Sequence, residues 1–292
     1  MAAVRGRPLG SGVVTTVAGS GTPVGELLRD WRRRRRLSQL DVSADTGIST
    51  RHLSFVETGR SRPSTELILR LAEHLDVPLA DRNTLLLAGG YAPAYTRHDL
   101  DGPELAPVRD AARQILHGHG PFPALLVDRH WQLVEANAAV GLLTAGAAAH
   151  LLSGPVNVLR LSLHPEGMAP RIRNLAQWRG HLLHRLREQV AASNDAALHD
   201  LYDELRGYPG GEEGPAGAGA VVVPLRYRYG DRDLAFLSTT TVFGTPLDVT
   251  VAGLAIEAFF PADRATAEAL RELTDPVAGS PPAGRQAGAV RR

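Results

Sequence analysis

Leu37-Ser-Gln-Leu-Asp-Val-Ser-Ala-Asp-Thr-Gly-Ile-Ser-Thr-Arg-His-Leu-Ser-Phe-Val-Glu-Thr-Gly-Arg60 is the stretch that decides how the front of this chain folds. Ser38 and Ser49 each precede a run with helical spacing. A serine there accepts a hydrogen bond from the amides that a helix leaves unpaired in its first turn. Two helices joined by a tight turn need a small residue where they cross, a glycine able to take positive φ, and apolar side chains facing inward. Ala44 is read as the small residue, Gly47 as the turn, and Leu40, Val42, Ile48, Leu53 and Val56 as the inward set. Ser49 then caps the second helix, and Thr50, Arg51 and His52 point outward from its start.

Helical spacing continues on both sides. Ser64 opens another run, and about five short helices are expected over a domain spanning 22–90. Residues 91–103 hold Pro93 and Pro103 with little periodicity and read as a linker. Residues 1–21 and 274–292 are rich in Gly, Ala, Pro and Arg and read as flexible tails. A second domain over 104–273 opens with a helix from Pro103 to His117. Ala124 to Val127 and Trp131 to Val134 form a hairpin around Asp128-Arg-His130, after which Asn137 starts a helix.

Helices are expected through Leu152, over Asn157 to Leu163, Ala169 to Ala192 and Asp195 to Leu205, with Tyr208 to Ala220 as a surface loop. Three β-rich runs follow, Val221 to Tyr229, Leu234 to Phe243 and Leu247 to Phe260, and Gly253 in the last is read as a bulge. The expected fold is therefore multidomain: an all-α five-helix domain, then an α+β domain with a five-stranded antiparallel sheet.

The 292 residues suffice for two cores, and 43% hydrophobic with 22% charged is ordinary for a folded chain. The absence of cysteine excludes disulfides, thiolate metal sites and cysteine nucleophiles. No run reaches the length of a membrane helix, so no membrane partner and a cytoplasmic location are expected. The net charge of +1 hides an asymmetry. Val24 to Arg62 carries nine arginines against five acids, and Asp101 to Asp275 fifteen against twenty-one. A basic front and an acidic body point to a polyanion bound at the front. Every basic residue is an arginine.

The quoted stretch, with Glu57-Thr-Gly-Arg-Ser-Arg-Pro63 and the helix Leu67 to Leu75 behind it, resembles the lambda-repressor-like, or XRE-type, helix-turn-helix family over about residues 24 to 90. The resemblance implies a transcription regulator on double-stranded DNA. It implies that Gln39 opens the first helix of the motif and braces a phosphate or a reading side chain. It also implies that Ser49, Thr50, Arg51 and His52 form the groove-facing start of the reading helix, Arg51 being the candidate for a base edge. Arg34, within the run Arg32 to Arg36, and Arg60 and Arg62 are candidates for phosphate; a solvated helix end is the alternative for the run. Glu57 is expected to cap or pair within the domain.

Leu126-Val-Asp-Arg-His-Trp-Gln-Leu-Val-Glu-Ala-Asn-Ala-Ala resembles the opening of a PAS-type sensor. With Asn157-Val-Leu-Arg160, Leu163-His-Pro165, Asn174-Leu-Ala-Gln-Trp178, Leu201-Tyr-Asp-Glu-Leu205, Ser238 to Thr250 and Phe259-Phe-Pro-Ala-Asp263, residues 104 to 273 resemble the MmyB-like regulator ligand-binding domain. The resemblance implies a PAS-like domain holding a small apolar ligand, for which a long-chain fatty acid is the suggestion, and a homodimer. No other cofactor is expected. From the residues themselves, Leu159, Leu161, Leu163, Leu182, Leu183, Leu186, Val242 and Phe243 can line a cavity or form solid core. A carboxylate ligand needs cations or donors, and Asn157, Arg160, His164 and Arg173 are the candidates, with Leu183 and Phe243 against the chain; pairing of the arginines with acids, and capping by Asn157, are the alternatives.

An enzyme is disfavoured, because no phosphate loop, dinucleotide fingerprint or nucleophile elbow appears. His181 and His184 stand three apart without a nearby carboxylate at metalloprotease spacing and read as a solvated helix face, so no metal is expected. The rival to a ligand sensor is a dimerisation or protein-interaction scaffold attached to the same DNA-binding front.

Overall fold

The computed structural model describes residues 21–193, 195–211, 213 and 222–274. Residues 1–20 and 275–292, read above as tails, and most of the Tyr208 to Ala220 loop lie outside the described residues. The chain divides into two compact units between Ala94 and Tyr95.

The first unit is five helices: α1 (Val24–Arg34), α2 (Gln39–Thr46), α3 (Thr50–Glu57), α4 (Thr65–His74) and α5 (Leu79–Ala88). The serines act as caps. Ser38 Oγ accepts from the Asp41 amide while the Asp41 carboxylate accepts from the Ser38 amide, a reciprocal box. Ser49 and Ser64 accept from the amides of His52 and Leu67. Gly47 ends α2 at φ 69°. Leu28, Trp31, Val42, Leu53, Val56, Ile68 and Leu86 fill the core.

Two of the residues read as inward-facing are outside: Leu40 is 69% exposed and Ala44 is exposed. They stand four apart and so share one face, which here is the outer one. The inner face carries Val42, Ser43 and Thr46, and both hydroxyls donate to the carbonyl four residues back, at 2.6 and 2.5 Å. An unanticipated close approach lies between α1 and α3. A Cβ on Gly25 would sit 2.1 Å from the Val56 carbonyl oxygen, so only glycine fits there.

The second unit carries one antiparallel sheet in the order β2-β1-β5-β4-β3, formed by β1 (Ala124–Val127), β2 (Leu133–Ala136), β3 (Leu225–Tyr229), β4 (Arg232–Val242) and β5 (Ala255–Pro261). One face packs on α6 (Ala106–Gly118) through Leu126, Ile256, Ala258, Ala112 and Leu116. The other faces the main core with α7 (Val140–Thr144), α8 (Val158–Leu163), α9 (Leu175–Ala192) and α10 (Ala196–Arg206). Helix α12 (Arg264–Thr274) contributes Leu270. Alternation along β5 serves both faces, since Ile256 and Ala258 point to α6 while Phe259 joins the main core.

Three local readings are corrected. Leu247 to Gly253 is not strand: Asp248 accepts from the Thr250 and Val251 amides and caps a short helix, α11 (Val249–Ala252), which Gly253 closes. Gly253 is thus a helix end, not a bulge. The hairpin turn takes in Trp131 at φ 64°, which delays β2 to Leu133. Asn137 caps no helix. Its side chain accepts from the Ala124 amide and donates to the Leu116 and Phe122 carbonyls, locking α6 to the start of β1.

The segment read as a linker is used by both units. Tyr91 donates its hydroxyl to the Pro63 carbonyl at 2.9 Å and packs on the helical core. From Thr96 on, the chain is tied to α11. The Val249 amide donates to Thr96, the His98 amide to Asp248, and the Thr250 hydroxyl to the His98 carbonyl. In the hairpin turn Arg129 and His130 both reach Asp195, the cap of α10. Burial pushes that carboxyl up, but these two bonds outweigh it and hold it at about 2. Among the described residues no helix is long and apolar enough to cross a membrane.

Candidate functional site

At the start of α3, Thr50, Arg51 and His52 are all exposed, as Ser49 is beside them. The Arg51 guanidinium lies 5.4 Å from the centre of the Phe55 ring, and Arg60 lies 6.0 Å from the same ring. Two cations expected to meet DNA are thus brought to one aromatic side chain. A ring face holds a guanidinium by its quadrupole while leaving donors at the rim for an incoming acceptor. Arg34 is exposed and stands 5.5 Å from the Trp31 ring. Arg62 is engaged inside the unit: it donates to the Gly89 carbonyl at the end of α5 and covers the Tyr91 ring at 5.2 Å.

Beneath this surface Glu57 is 2% exposed. Arg32 grips it bidentately at 2.7 and 2.8 Å, and Gln39 Nε2 donates to it at 2.9 Å. Arg32 also donates to the Leu37 carbonyl, so one carboxylate joins α1, the start of α2 and the end of α3. Burial pushes the Glu57 carboxyl up, but the bonds from Arg32 and Gln39 prevail and leave it below its ordinary value. Gln39, expected at the DNA, therefore bonds to Glu57, which pairs within the domain as expected.

The second unit contains a cavity of about 230 Å³ between the sheet and α8 and α9. Its wall is mostly apolar, including Leu125, Trp131, Leu161, Met168, Trp178 and Phe259. The charged groups in the wall are Arg185 and Glu257. Arg185 donates to both oxygens of Glu257 at 2.9 and 3.2 Å and to the Thr240 hydroxyl at 2.9 Å, and lies 4.9 Å from the Trp131 ring centre.

None of the six residues expected at a ligand lines this cavity. Arg160 is paired with Glu204 at 2.7 and 2.6 Å, and Arg173 with Asp233 at 3.3 Å, so both arginines serve ion pairs. Asn157 caps α8 by accepting from the Arg160 amide. Leu183 is solid core, and Phe243 packs on the α6 side of the sheet. Of the wider apolar set, Leu159, Leu161 and Leu182 line the cavity, Leu163 and Leu186 are core, and Val242 is 66% exposed.

His164, with His150 and Glu166, forms a group whose ligand atoms lie within 4.8 Å of one another. The Glu166 amide donates to His164 Nδ1 at 3.0 Å, which leaves the proton of a neutral ring on Nε2 and the lone pair occupied. His181 is half-buried, 5.5 Å from the Trp178 ring, and burial followed by Arg185 lowers its pKa, so only His184 of that pair matches a solvated face. The cavity charges went unread in the sequence. Their signal is the spacing Trp178, Leu182, Arg185 on one face of α9 and the alternation Glu257, Phe259 on β5.

Residues 108–273 match the family described as MmyB-like transcription regulator ligand binding domain, and residues 23–85 match a helix-turn-helix domain. Over 59 residues the chain is 34% identical to the ImmF control region 10 kDa protein of Bacillus phage phi105; the match covers 20% of this chain and 66% of that protein, just under two thirds of its length.

Proposed function

The chain belongs to the MmyB-like transcription regulator ligand binding domain family, and from that premise we propose a sequence-specific regulator that grips DNA as a homodimer and is switched by a small apolar molecule. The observation that carries this reading is the largely apolar cavity inside the matched domain, fronted on the same chain by a helix-turn-helix with an exposed arginine at its start. A cavity of about 230 Å³ is close to the lower bound of small-molecule sites. A long-chain fatty acid is the first ligand to try. The likeness to a phage control-region protein supports a role at an operator.

Arg51 reads a base edge in this proposal, and Arg34 meets phosphate. Arg51→Ala is expected to cost about 1–3 kcal/mol on the cognate inverted repeat and to relax discrimination at one position of each half-site. Arg34→Ala is expected to weaken all sequences alike and to flatten the salt dependence. Equal losses on cognate and random DNA for Arg51→Ala, measured by fluorescence anisotropy, would remove the base contact from the proposal.

A ligand moves the DNA equilibrium only by its differential affinity for two states. Saturating ligand is expected to change the operator Kd by roughly 5- to 150-fold, and operator DNA must change ligand affinity by the same factor. Long-chain acids and other apolar ligands that neither bind the full chain nor change operator affinity would favour the scaffold reading of the second unit.

A further inference from the structure

We infer that the cavity takes its ligand with an uncharged polar group: an alcohol, an amide, or an acid in its protonated form. This rests on the reading of the cavity as the sensing site. The cation in its wall, Arg185, is already neutralised by Glu257, which faces it from β5 and is 7% exposed. Thr240 donates to the same carboxylate at 2.8 Å, so both oxygens of Glu257 are held.

Arg185 and Glu257 together leave the wall with no net formal charge. An incoming carboxylate must either draw Arg185 away, leaving Glu257 buried without its partner, or stand as a second anion beside it. Both cost far more than a neutral group would.

The polar capacity left in the wall is uncharged. Ser162, 7% exposed, accepts from Trp178 Nε1 at 3.1 Å, and its own hydroxyl proton has no acceptor among the described residues. Ser238 lines the cavity from the same face of β4 as Thr240 and has no hydrogen-bond partner through its side chain among the described residues. These two hydroxyls, with that of Thr144 in the same wall, which donates to the Gly141 carbonyl at 3.5 Å, suit a group that both donates and accepts.

The test uses the delipidated full chain and three probes of equal length, dodecanol, dodecanamide and dodecanoic acid, titrated by calorimetry below their aggregation limits. Near neutral pH the alcohol and amide are expected to bind at least about tenfold tighter than the acid, the discrimination of a single unfavourable charge. The acid is expected to gain affinity as the pH is lowered and its neutral form grows. Glu257→Gln frees Arg185 and is expected to reverse the order in favour of the acid.

Tighter binding of the acid to the unaltered protein near neutral pH overturns the inference while leaving the sensor reading standing. Binding of none of the three at any pH overturns both. If Glu257→Gln does not fold, the order of the three probes and the pH dependence of the acid on the unaltered chain decide alone.

Discussion

Arg32→Ala is expected to destabilise the helical unit by about 3–5 kcal/mol, because it strands a carboxylate that is 2% exposed. Glu57 would keep the Gln39 amide but lose both guanidinium bonds, and the Leu37 carbonyl would lose its donor. Operator binding should fail through unfolding and not through a lost contact. Hydrogen exchange over residues 24–88 distinguishes the two: it should rise throughout the unit. Unchanged exchange with lost DNA binding would make Arg32 a DNA contact instead. The double change Arg32→Met with Glu57→Leu should recover most of the stability, since a buried ion pair replaced as a whole costs little.

The same pair sets a pH dependence. The folded carboxyl of Glu57 lies below its ordinary value, so its contribution is present above the ordinary carboxylate range and is lost as the pH falls through the depressed one. The urea midpoint of the first unit should therefore fall with acidification in the native chain and fall less steeply in the double variant, where the Asp41 carboxyl, held below its ordinary value by the Ser38 amide and hydroxyl, still titrates.

Arg179→Met is expected to cost the second unit about 2–4 kcal/mol. Arg179 is 4% exposed and donates to the carbonyls of Leu205, Arg206 and Gly211 at 3.2, 2.8 and 2.8 Å. The first two close α10, where the last turn of a helix leaves carbonyls without partners and favours positive charge. Methionine fills the space but donates nothing. Arg179→Lys should rescue little, because one ammonium does not span three carbonyls as a planar fork does. Thermal unfolding followed by near-ultraviolet circular dichroism checks this, and a melting temperature unchanged by Arg179→Met would sink it.

Features written in adjacent residues were legible. Ser38, Ser49 and Ser64 marked their helices because a cap is a local bond between a side chain and an amide three residues on. The five strands were legible in number from β-rich runs and turns. What failed depended on phase or on partners far away in sequence. Leu40, Val42 and Ala44 cannot share one inward face of α2, since each residue rotates the helix by about 100°, and it is Val42 that is buried while Leu40 and Ala44 are exposed. Val249 and Val251 alternate like a strand, and only the Asp248 cap, paired with His98 across 150 residues, makes the segment a helix. Arg160 and Arg173 looked available for a ligand because Glu204 and Asp233 stand far along the chain. Arg185 and Glu257 escaped notice for the same reason, being 72 residues apart.

The tie between residues 96 to 98 and α11 determines which piece of this chain can be exchanged as a module. A fragment that starts where the family match starts, at 108, leaves Asp248 with only its own helix amides and strips from α11 the bond from the Val249 amide to Thr96 and the one from the Thr250 hydroxyl to His98. Starting at Tyr95 keeps them all. A chimera joined at the matched boundary should thus inherit a frayed α11, whereas one joined at Tyr95 should carry the second unit across intact.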